Sequence, residues 1–198
     1  MTEYQFTKDW FQQAPEVWKQ IIPYLPGNPG SRHFLEIGSF EGRSAVWIAE
    51  NMMAEGDELR CIDTWEGGEE HSAEDMGAVE DRFRHNIVLA AERLPGRRIF
   101  QTPGTSVQRL AEFQGKDEFV FIYIDGSHIA KDVLTDACMA WPLLKSGGLM
   151  VFDDYLWGDP RDVLHRPKLA IDAFANIFAE QLDIIHAGYQ FVVQKRGG

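Results

Sequence analysis

Short, nearly continuous apolar runs alternate along the chain with longer segments in which apolar residues recur at every third or fourth position. The first pattern is typical of strands buried in a parallel sheet, and the second is typical of helices with one buried face. The apolar runs predict strands at 33–37, 59–62, 98–101, 119–125 and 147–154. The helical spacing predicts helices at 43–53, 73–92, 129–144 and 168–181, and a further helix capped by Thr105 or Ser106. The inward-facing residues expected in the second and in the last of these are Val79, Phe83, Ile87, Val88 and Ala91, and Val107, Leu110 and Phe113.

The last part of the chain has a different pattern. Residues 182–186 and 189–194 are two short apolar runs separated by Ala187 and Gly188, which predicts a β-hairpin. Strands that alternate with helices form parallel sheets covered on both faces. The sequence therefore predicts an α/β fold, with a Rossmann-like doubly wound sheet and a C-terminal antiparallel hairpin.

The residues ahead of the first strand form a separate apolar segment. Residues 9–25 have the spacing of one or two short helices. No repeat or long linker divides the chain, so we expect one domain over 1–198, with a helical extension at 1–30 and the core at 31–198. We expect the extension to pack on the sheet, although it could also cover a site. If exposed, three of its aromatic residues would suit a homodimer interface: Trp10, Phe11 and Trp18.

A glycine-bearing loop follows the first strand. Gly38 and Gly42 bracket it, and Asp63 ends the next strand about twenty residues later, where an acid can bind the hydroxyls of a ribose. The loop lacks the G-x-G-x-x-G spacing that accommodates a pyrophosphate, and Glu36 would repel one. No Lys-Ser/Thr pair follows, which excludes a P-loop. The stretch predicts a nucleoside site, and an ordinary core turn is the alternative.

Four aspartates come at the ends of predicted strands: Asp63, Asp125, Asp153 and Asp154. Ligands of open α/β sheets bind beyond these carboxyl ends. Several carboxylates placed together repel one another unless a cation lies between them, and Mg²⁺ prefers such oxygen ligands. Adjacent residues of a strand point to opposite faces, so Asp153 and Asp154 can share one ion only if the strand has already ended. Alternatively, one of the two stabilises the following turn.

Two groups of motifs resemble a known family. The pattern E-x-G-x-x-x-G-x-S, from Glu36 to Ser44, resembles motif I of class I S-adenosyl-L-methionine-dependent methyltransferases. The spaced pattern I-D-G-x-H … D … W-P-x-L-x-x-G-G … D-D-Y, from Ile124 to Tyr155, resembles metal-dependent O-methyltransferases of macrolide sugars. The resemblance covers nearly the whole chain. It implies a seven-stranded sheet, S-adenosyl-L-methionine as cofactor, and Mg²⁺ or another divalent cation.

The resemblance also implies roles for individual residues. Asp125, Asp153 and Asp154 would be metal ligands, and His128 the general base beside Asp125. An imidazole with a pKa of about 6.5 suits proton removal at neutral pH. The implied cofactor contacts are Glu36, Gly38, Ser39, Gly42, Ser44, Asp63, Thr64, Trp65, Gly104, Thr105, Ser106 and Asp125.

Other interpretations of the same residues remain open. His128 could instead cap the helix that begins near residue 129. Asp132 is better placed on a helix surface or behind the site than as a ligand. His71 and the acidic residues near it fit either a lid over the site or a solvated loop.

The net charge argues against two classes of binding partner. The chain has 198 residues and a formal net charge of −12, which argues against nucleic-acid and anionic-membrane surfaces. Cys61 and Cys138 are expected to be buried without a disulfide, and no leader or membrane-spanning run is evident. We therefore expect a cytoplasmic protein.

The function indicated is O-methylation of a small hydroxylated acceptor, assisted by a divalent metal. Methyl transfer to nitrogen or to a carboxylate without a metal is one alternative. A non-catalytic module that binds S-adenosyl-L-methionine is another, and an NAD(P)-dependent oxidoreductase is disfavoured by Glu36 and the missing G-x-G.

Overall fold

The computed structural model describes residues 3–27, 30–68, 75–113 and 118–197. Its strands are β1 His33–Ile37, β2 Glu58–Asp63, β3 Arg98–Pro103, β4 Phe119–Ile124, β5 Leu144–Phe152, β6 Leu182–Ala187 and β7 Phe191–Lys195. Its helices are α1 Ala14–Ile21, α2 Arg43–Asn51, α3 Met76–Arg93, α4 Ser106–Glu112, α5 Ala130–Ala140 and α6 Lys168–Ile177. These bounds confirm the predicted order of strands and helices.

The seven strands form one sheet in the order β3-β2-β1-β4-β5-β7-β6. The first five run parallel, whereas β7 is antiparallel to β5 and β6 is antiparallel to β7. The order reverses between β1 and β4, which leaves a crevice beyond the carboxyl ends of these two strands. The predicted doubly wound α/β class and its C-terminal hairpin are confirmed.

Helices cover both faces of the sheet. On one face, α4, α5 and α6 pack around Trp141, Phe152 and Phe174. On the other, α1, α2 and α3 pack around Trp18, Phe83 and Phe121, among others. The two cores keep β4 buried along its whole length, as its uninterrupted apolar sequence predicts.

The N-terminal extension contributes to the second core. Trp18 of α1 is fully buried, and its ring centroid lies 4.8 Å from those of Phe11 and Tyr123. Of Trp10, Phe11 and Trp18, only Trp10 is exposed, at 61%. The expected packing of the extension on the sheet is therefore confirmed, and it removes the rings of Phe11 and Trp18 from the surface on which a homodimer interface would need them.

Several details differ from the sequence expectation. The inner face of α3 includes Asn86, and Val88 and Ala91 are exposed although their spacing predicted burial. Asn86 is buried because its amide bonds the backbone of the N-terminal segment. Val107 of α4 is also exposed, and so is Cys138, which lies on the outer side of α5.

The ends of some elements also differ. The predicted helix 129–144 ends at Ala140, where a 3₁₀ turn that includes Pro142 leads directly into β5. Residues 69–74, which include His71 and the predicted start of the third helix, lie outside the described residues. In the part of the chain that is described, no helix is long and apolar enough to cross a membrane.

Candidate active site

A cavity of about 920 Å³ opens beyond the carboxyl ends of β1, β2, β4 and β5. It joins the glycine loop to the acidic strand ends. Most of the predicted site residues line it: Gly38, Ser39, Ser44, Asp63, Thr64, Gly104, Thr105, Ser106, Asp125, His128, Asp153 and Asp154. Three do not, namely Glu36, Gly42 and Trp65.

The glycine at position 38 serves close packing between two loops. Its φ of 84° is left-handed, and a Cβ added there would lie 2.0 Å from the carbonyl oxygen of Asp125. Only glycine adopts this conformation in such a space. Gly38 thereby brings the loop after β1 against the loop after β4 and joins the two halves of the cavity.

Asp63 organises the glycine loop. One carboxylate oxygen accepts hydrogen bonds from the backbone N–H groups of Ser39 and Phe40, at 2.8 and 2.9 Å. The other accepts from the N–H of Trp65 at 2.7 Å. A carboxylate has about four acceptor positions, so one remains for a hydroxyl donor from the cavity. The predicted contact to a ribose stays compatible with this geometry.

Glu36 lies beneath the loop and is fully buried. The Ser39 hydroxyl donates to its Oε2 at 2.6 Å. Burial raises the pKa of Glu36 to about 7, although hydrogen bonds from Ser39, Ser44 and Cys61 oppose the shift. Its carboxyl group thus supports the loop from below, with Ser39 between it and the cavity.

Trp65 and Gly42 are placed in the core instead of the cavity. The Trp65 indole N–H donates to the carbonyl of Phe40 at 2.9 Å, and its ring packs on Phe83 with centroids 4.7 Å apart. Gly42 faces the same ring of Phe83. Trp65, which the resemblance implied as a cofactor contact, therefore stabilises the junction between the loop and α3.

The acidic end of the cavity depends on a turn at residues 153 and 154. The strand β5 ends at Phe152, and Asp154 has a left-handed φ of 57°. Such a φ is uncommon outside glycine and clusters at functional sites. Because the chain is already turning, both aspartates line the cavity despite being adjacent.

Tyr123 connects two of the carboxylates. Its hydroxyl lies 2.9 Å from Asp125 Oδ2 and also contacts Asp153 Oδ2. Depth in the molecule and the charges of the neighbouring aspartates raise the pKa of Asp125 well above its usual range. Asp125 is reached by solvent through the cavity, so the charges of the neighbouring aspartates are the main reason why its pKa is raised. Tyr123 was not singled out from the sequence, although a residue two before Asp125 shares its side of the strand.

His128 is tied to the third carboxylate. Its Nε2 lies 2.7 Å from Asp154 Oδ2, and its ring stacks on Trp157 with centroids 4.0 Å apart. The hydroxyl of Tyr189 donates to the other oxygen of Asp154 at 2.7 Å. Because Nδ1 is buried, Nε2 is the nitrogen that can contact an acceptor molecule bound in the cavity. To do so it must first release Asp154.

The acidic end of the cavity combines carboxylate, phenol and imidazole groups within reach of one another. Its oxygen donors suit Mg²⁺. The Tyr123 phenol has one proton for two carboxylates, so a further proton or a cation is needed between them. No group of three or more His, Cys, Asp or Glu among the described residues is arranged to hold an ion. The chemistry of the donors therefore fits, while Asp154 would have to leave His128 to join them.

The N-terminal segment adds residues that sequence reasoning did not assign to the site. Lys8, Trp10 and Phe11 line the cavity, and the Trp10 ring lies 4.9 Å from that of Phe40. Buried Glu41 holds this segment by accepting from the N–H and hydroxyl of Thr7, at 2.6 and 2.7 Å. The segment therefore forms one wall of the cavity.

Comparison with known proteins identifies the family. A family model described as a methyltransferase domain matches residues 35–155, which is more than half of the chain. The chain belongs to this methyltransferase family. The matched range runs from β1 to the turn after β5, so it includes both ends of the cavity. No curated protein matches the methyltransferase.

Solved structures share the fold of this methyltransferase. The O-methyltransferase TomG of Streptomyces achromogenes, in complex with SAM, has a TM-score of 0.67 at 18% identity, over 94% of this chain and 80% of that one. An O-methyltransferase of Bacillus cereus, in complex with SAH, has a TM-score of 0.60 at 18% identity, over 98% and 84%. MycE of the mycinamycin pathway, in complex with Mg and SAH, has a TM-score of 0.56 at 17% identity, over 98% of this chain and 52% of its own.

Proposed function

We propose that this methyltransferase uses S-adenosyl-L-methionine to methylate an oxygen of a small hydroxylated acceptor, with a divalent cation at the acidic end of the cavity. The observation that carries the proposal is the continuous cavity between the glycine loop with Asp63 and the carboxylates of Asp125 and Asp153. The structural relatives in complex with SAM or SAH, and MycE with Mg, support it.

Within this proposal the two ends of the cavity have different tasks. Asp63 and the loop from Gly38 bind the nucleoside, while Lys8 and Trp10 limit access of water from the side. S-adenosyl-L-methionine supplies a methyl group that its sulfonium already activates, so the protein has to orient and deprotonate the acceptor. Asp125, Asp153 and Asp154 would hold Mg²⁺, which lowers the pKa of a bound hydroxyl.

His128 would take the proton of the acceptor on Nε2. Its stacking on Trp157 keeps the ring oriented toward the acidic end. This role requires His128 Nε2 to release Asp154 and to contact the hydroxyl of the acceptor instead. His128→Gln preserves size and removes the base, so we expect kcat to fall about 100-fold while the cofactor still binds.

The proposal is tested first by calorimetry with S-adenosylhomocysteine and with NADH, of which only the former should bind. Transfer of labelled methyl groups to a panel of hydroxylated acceptors is then measured with Mg²⁺ and with EDTA. EDTA or Asp153→Asn should abolish transfer, whereas Asp183→Asn, at an exposed ion pair with Arg196, should leave it unchanged. Undiminished transfer in EDTA would remove the metal from the proposal.

A metal-independent methyltransferase acting on nitrogen or on a carboxylate is the second candidate. The pairing of Asp154 with His128 and Tyr189 favours it, since both oxygens of this carboxylate already have partners within the protein. Acceptance of an amine, together with indifference to EDTA, would select this function. Binding of S-adenosylhomocysteine without transfer to any acceptor class would indicate a non-catalytic module.

A further inference from the structure

We propose that Gln190 is a positioning residue of the acidic centre, and that Trp18 of the N-terminal extension fixes the orientation of its amide. Both side chains are buried, with exposures of 3% and 0%. Neither lines the cavity, and they lie 172 positions apart in the sequence. The inference rests on the proposed function only in taking Asp153 as a ligand of the divalent cation.

The orientation of the amide follows from donor chemistry. The indole N–H of Trp18 can only donate, and it lies 2.8 Å from Gln190 Oε1. The oxygen end of the amide therefore faces Trp18, and the NH₂ end is directed the other way. That nitrogen donates to Asp153 Oδ2 at 3.1 Å. The opposite amide orientation would place an NH₂ group against the indole N–H and lose both hydrogen bonds.

Asp153 is held from three sides. Its Oδ1 accepts from the N–H of Asp154 at 2.8 Å, and its Oδ2 accepts from Gln190 and also contacts Tyr123. Through the Tyr123 hydroxyl the same network reaches Asp125. A carboxylate with both oxygens fixed has one favoured rotamer, so the amide determines where this ligand points.

The network starts in a rigid part of the molecule. The Trp18 ring packs in edge-on contacts against Phe121 and Tyr123, with centroids 5.4 and 4.8 Å away. The turn that carries Gln190 is closed by a 2.9 Å hydrogen bond from Gly188 N–H to its carbonyl. Trp18 therefore acts on the acidic centre indirectly. It bonds Gln190, and Gln190 bonds Asp153.

The experiment compares two variants that break the network, Trp18→Phe and Gln190→Leu, with their double variant. Trp18→Phe retains an aromatic ring and removes the donor. The chain also offers a matched pair away from the site, since the indole N–H of buried Trp141 donates to Gln181 at 3.2 Å. Trp141→Phe and Gln181→Leu are the controls. The readouts are crystal structures and the dissociation constant for Mn²⁺, measured by electron paramagnetic resonance.

We expect Gln190→Leu to turn the Asp153 carboxylate away from Tyr123, and each network variant to weaken Mn²⁺ binding about 5- to 20-fold. The double variant should be within twofold of Gln190→Leu, because two changes in one network are not additive. The controls should leave Asp153 and Mn²⁺ affinity unchanged. Should Trp18→Phe fail to fold, the position of Asp153 and the Mn²⁺ affinity of Gln190→Leu decide whether Gln190 positions Asp153.

An unmoved Asp153 in Gln190→Leu would overturn the inference, and so would unchanged Mn²⁺ affinity in that variant. A wild-type protein that binds no Mn²⁺ would instead count against the metal in the proposed function. In that case the position of Asp153 in the crystal structures still decides the role of Gln190, so the two failures are distinguishable.

Discussion

Buried Glu36 shows how a single residue can serve the site from outside the cavity. Its carboxyl group supports Ser39 from below, at 2.6 Å, and burial raises its pKa to about 7. The folded protein therefore retains this proton at pH values where the unfolded chain, with a pKa of 4.5, has released it. The free energy of unfolding then decreases as the pH rises from about 4.5 to 7, and this contribution is constant above that range.

We predict that Glu36→Gln removes this pH dependence. The stability of the variant relative to the wild type should increase between pH 4.5 and pH 7, by up to roughly 3 kcal/mol. Urea unfolding of both proteins at several pH values measures the difference. The exposed Glu16→Gln provides the control and should follow the wild type. A difference between Glu36→Gln and wild type that does not change with pH would contradict the assignment.

At the scale of elements, the contact between the loops after β1 and β4 brings the two functional halves together. Gly38 makes that contact possible, because any side chain would meet the backbone of Asp125. Gly147, at the start of the apolar part of β5, has nearly the same left-handed φ, 78° against 84°, and open space around it. The two positions therefore separate backbone strain from steric overlap.

We predict that Gly38→Ala lowers the free energy of unfolding by more than about 3 kcal/mol, since strain and overlap add. Gly147→Ala should lower it by only about 1–2 kcal/mol, the cost of the left-handed conformation alone. Denaturant unfolding followed by circular dichroism provides the comparison. Equal losses in the two variants would show that the contact with Asp125 relaxes freely.

The elements were predictable where one local pattern decides the structure. The uninterrupted apolar run of β4 placed Asp125 directly after a strand. The alternation of strand and helix patterns from β1 to β2 placed Asp63 at the end of the second strand. The inner face of α3 was wrong at Val88 because tertiary contacts of Asn86, far away in sequence, override the apolar spacing. Similarly, no local sequence pattern shows that the Trp65 ring packs on Phe83, or that Gln190 donates a hydrogen bond to Asp153.

At the scale of the whole molecule, the N-terminal segment and the glycine loop are held by one buried carboxylate. Glu41 accepts two hydrogen bonds from Thr7 and one from Arg82, the latter at 2.5 Å. The same loop lies against Asp63 on its other side. Because a buried charge is costly to leave without its partners, the two segments are expected to be ordered together.

We predict that Glu41→Gln releases the N-terminal segment and accelerates tryptic cleavage after Lys8 at least tenfold, because local opening becomes easier. S-adenosylhomocysteine should slow the cleavage in the wild type, since Lys8, Trp10 and Phe11 line the cavity. Glu80→Gln, which alters a more exposed pair with Arg84, is the control and should cleave as the wild type does. Unchanged cleavage in Glu41→Gln would show that other contacts hold the segment.

The stacking of Trp157 on His128 has a practical consequence. A protonated imidazole quenches the emission of an indole in contact with it, so the intrinsic fluorescence of Trp157 reports the protonation of the candidate base directly. Trp10, exposed at the other side of the cavity, is placed to report ligand entry. The chain has six tryptophans, so the signal of each of these two optical probes is obtained as the difference between the wild type and the variant in which that residue is replaced by phenylalanine.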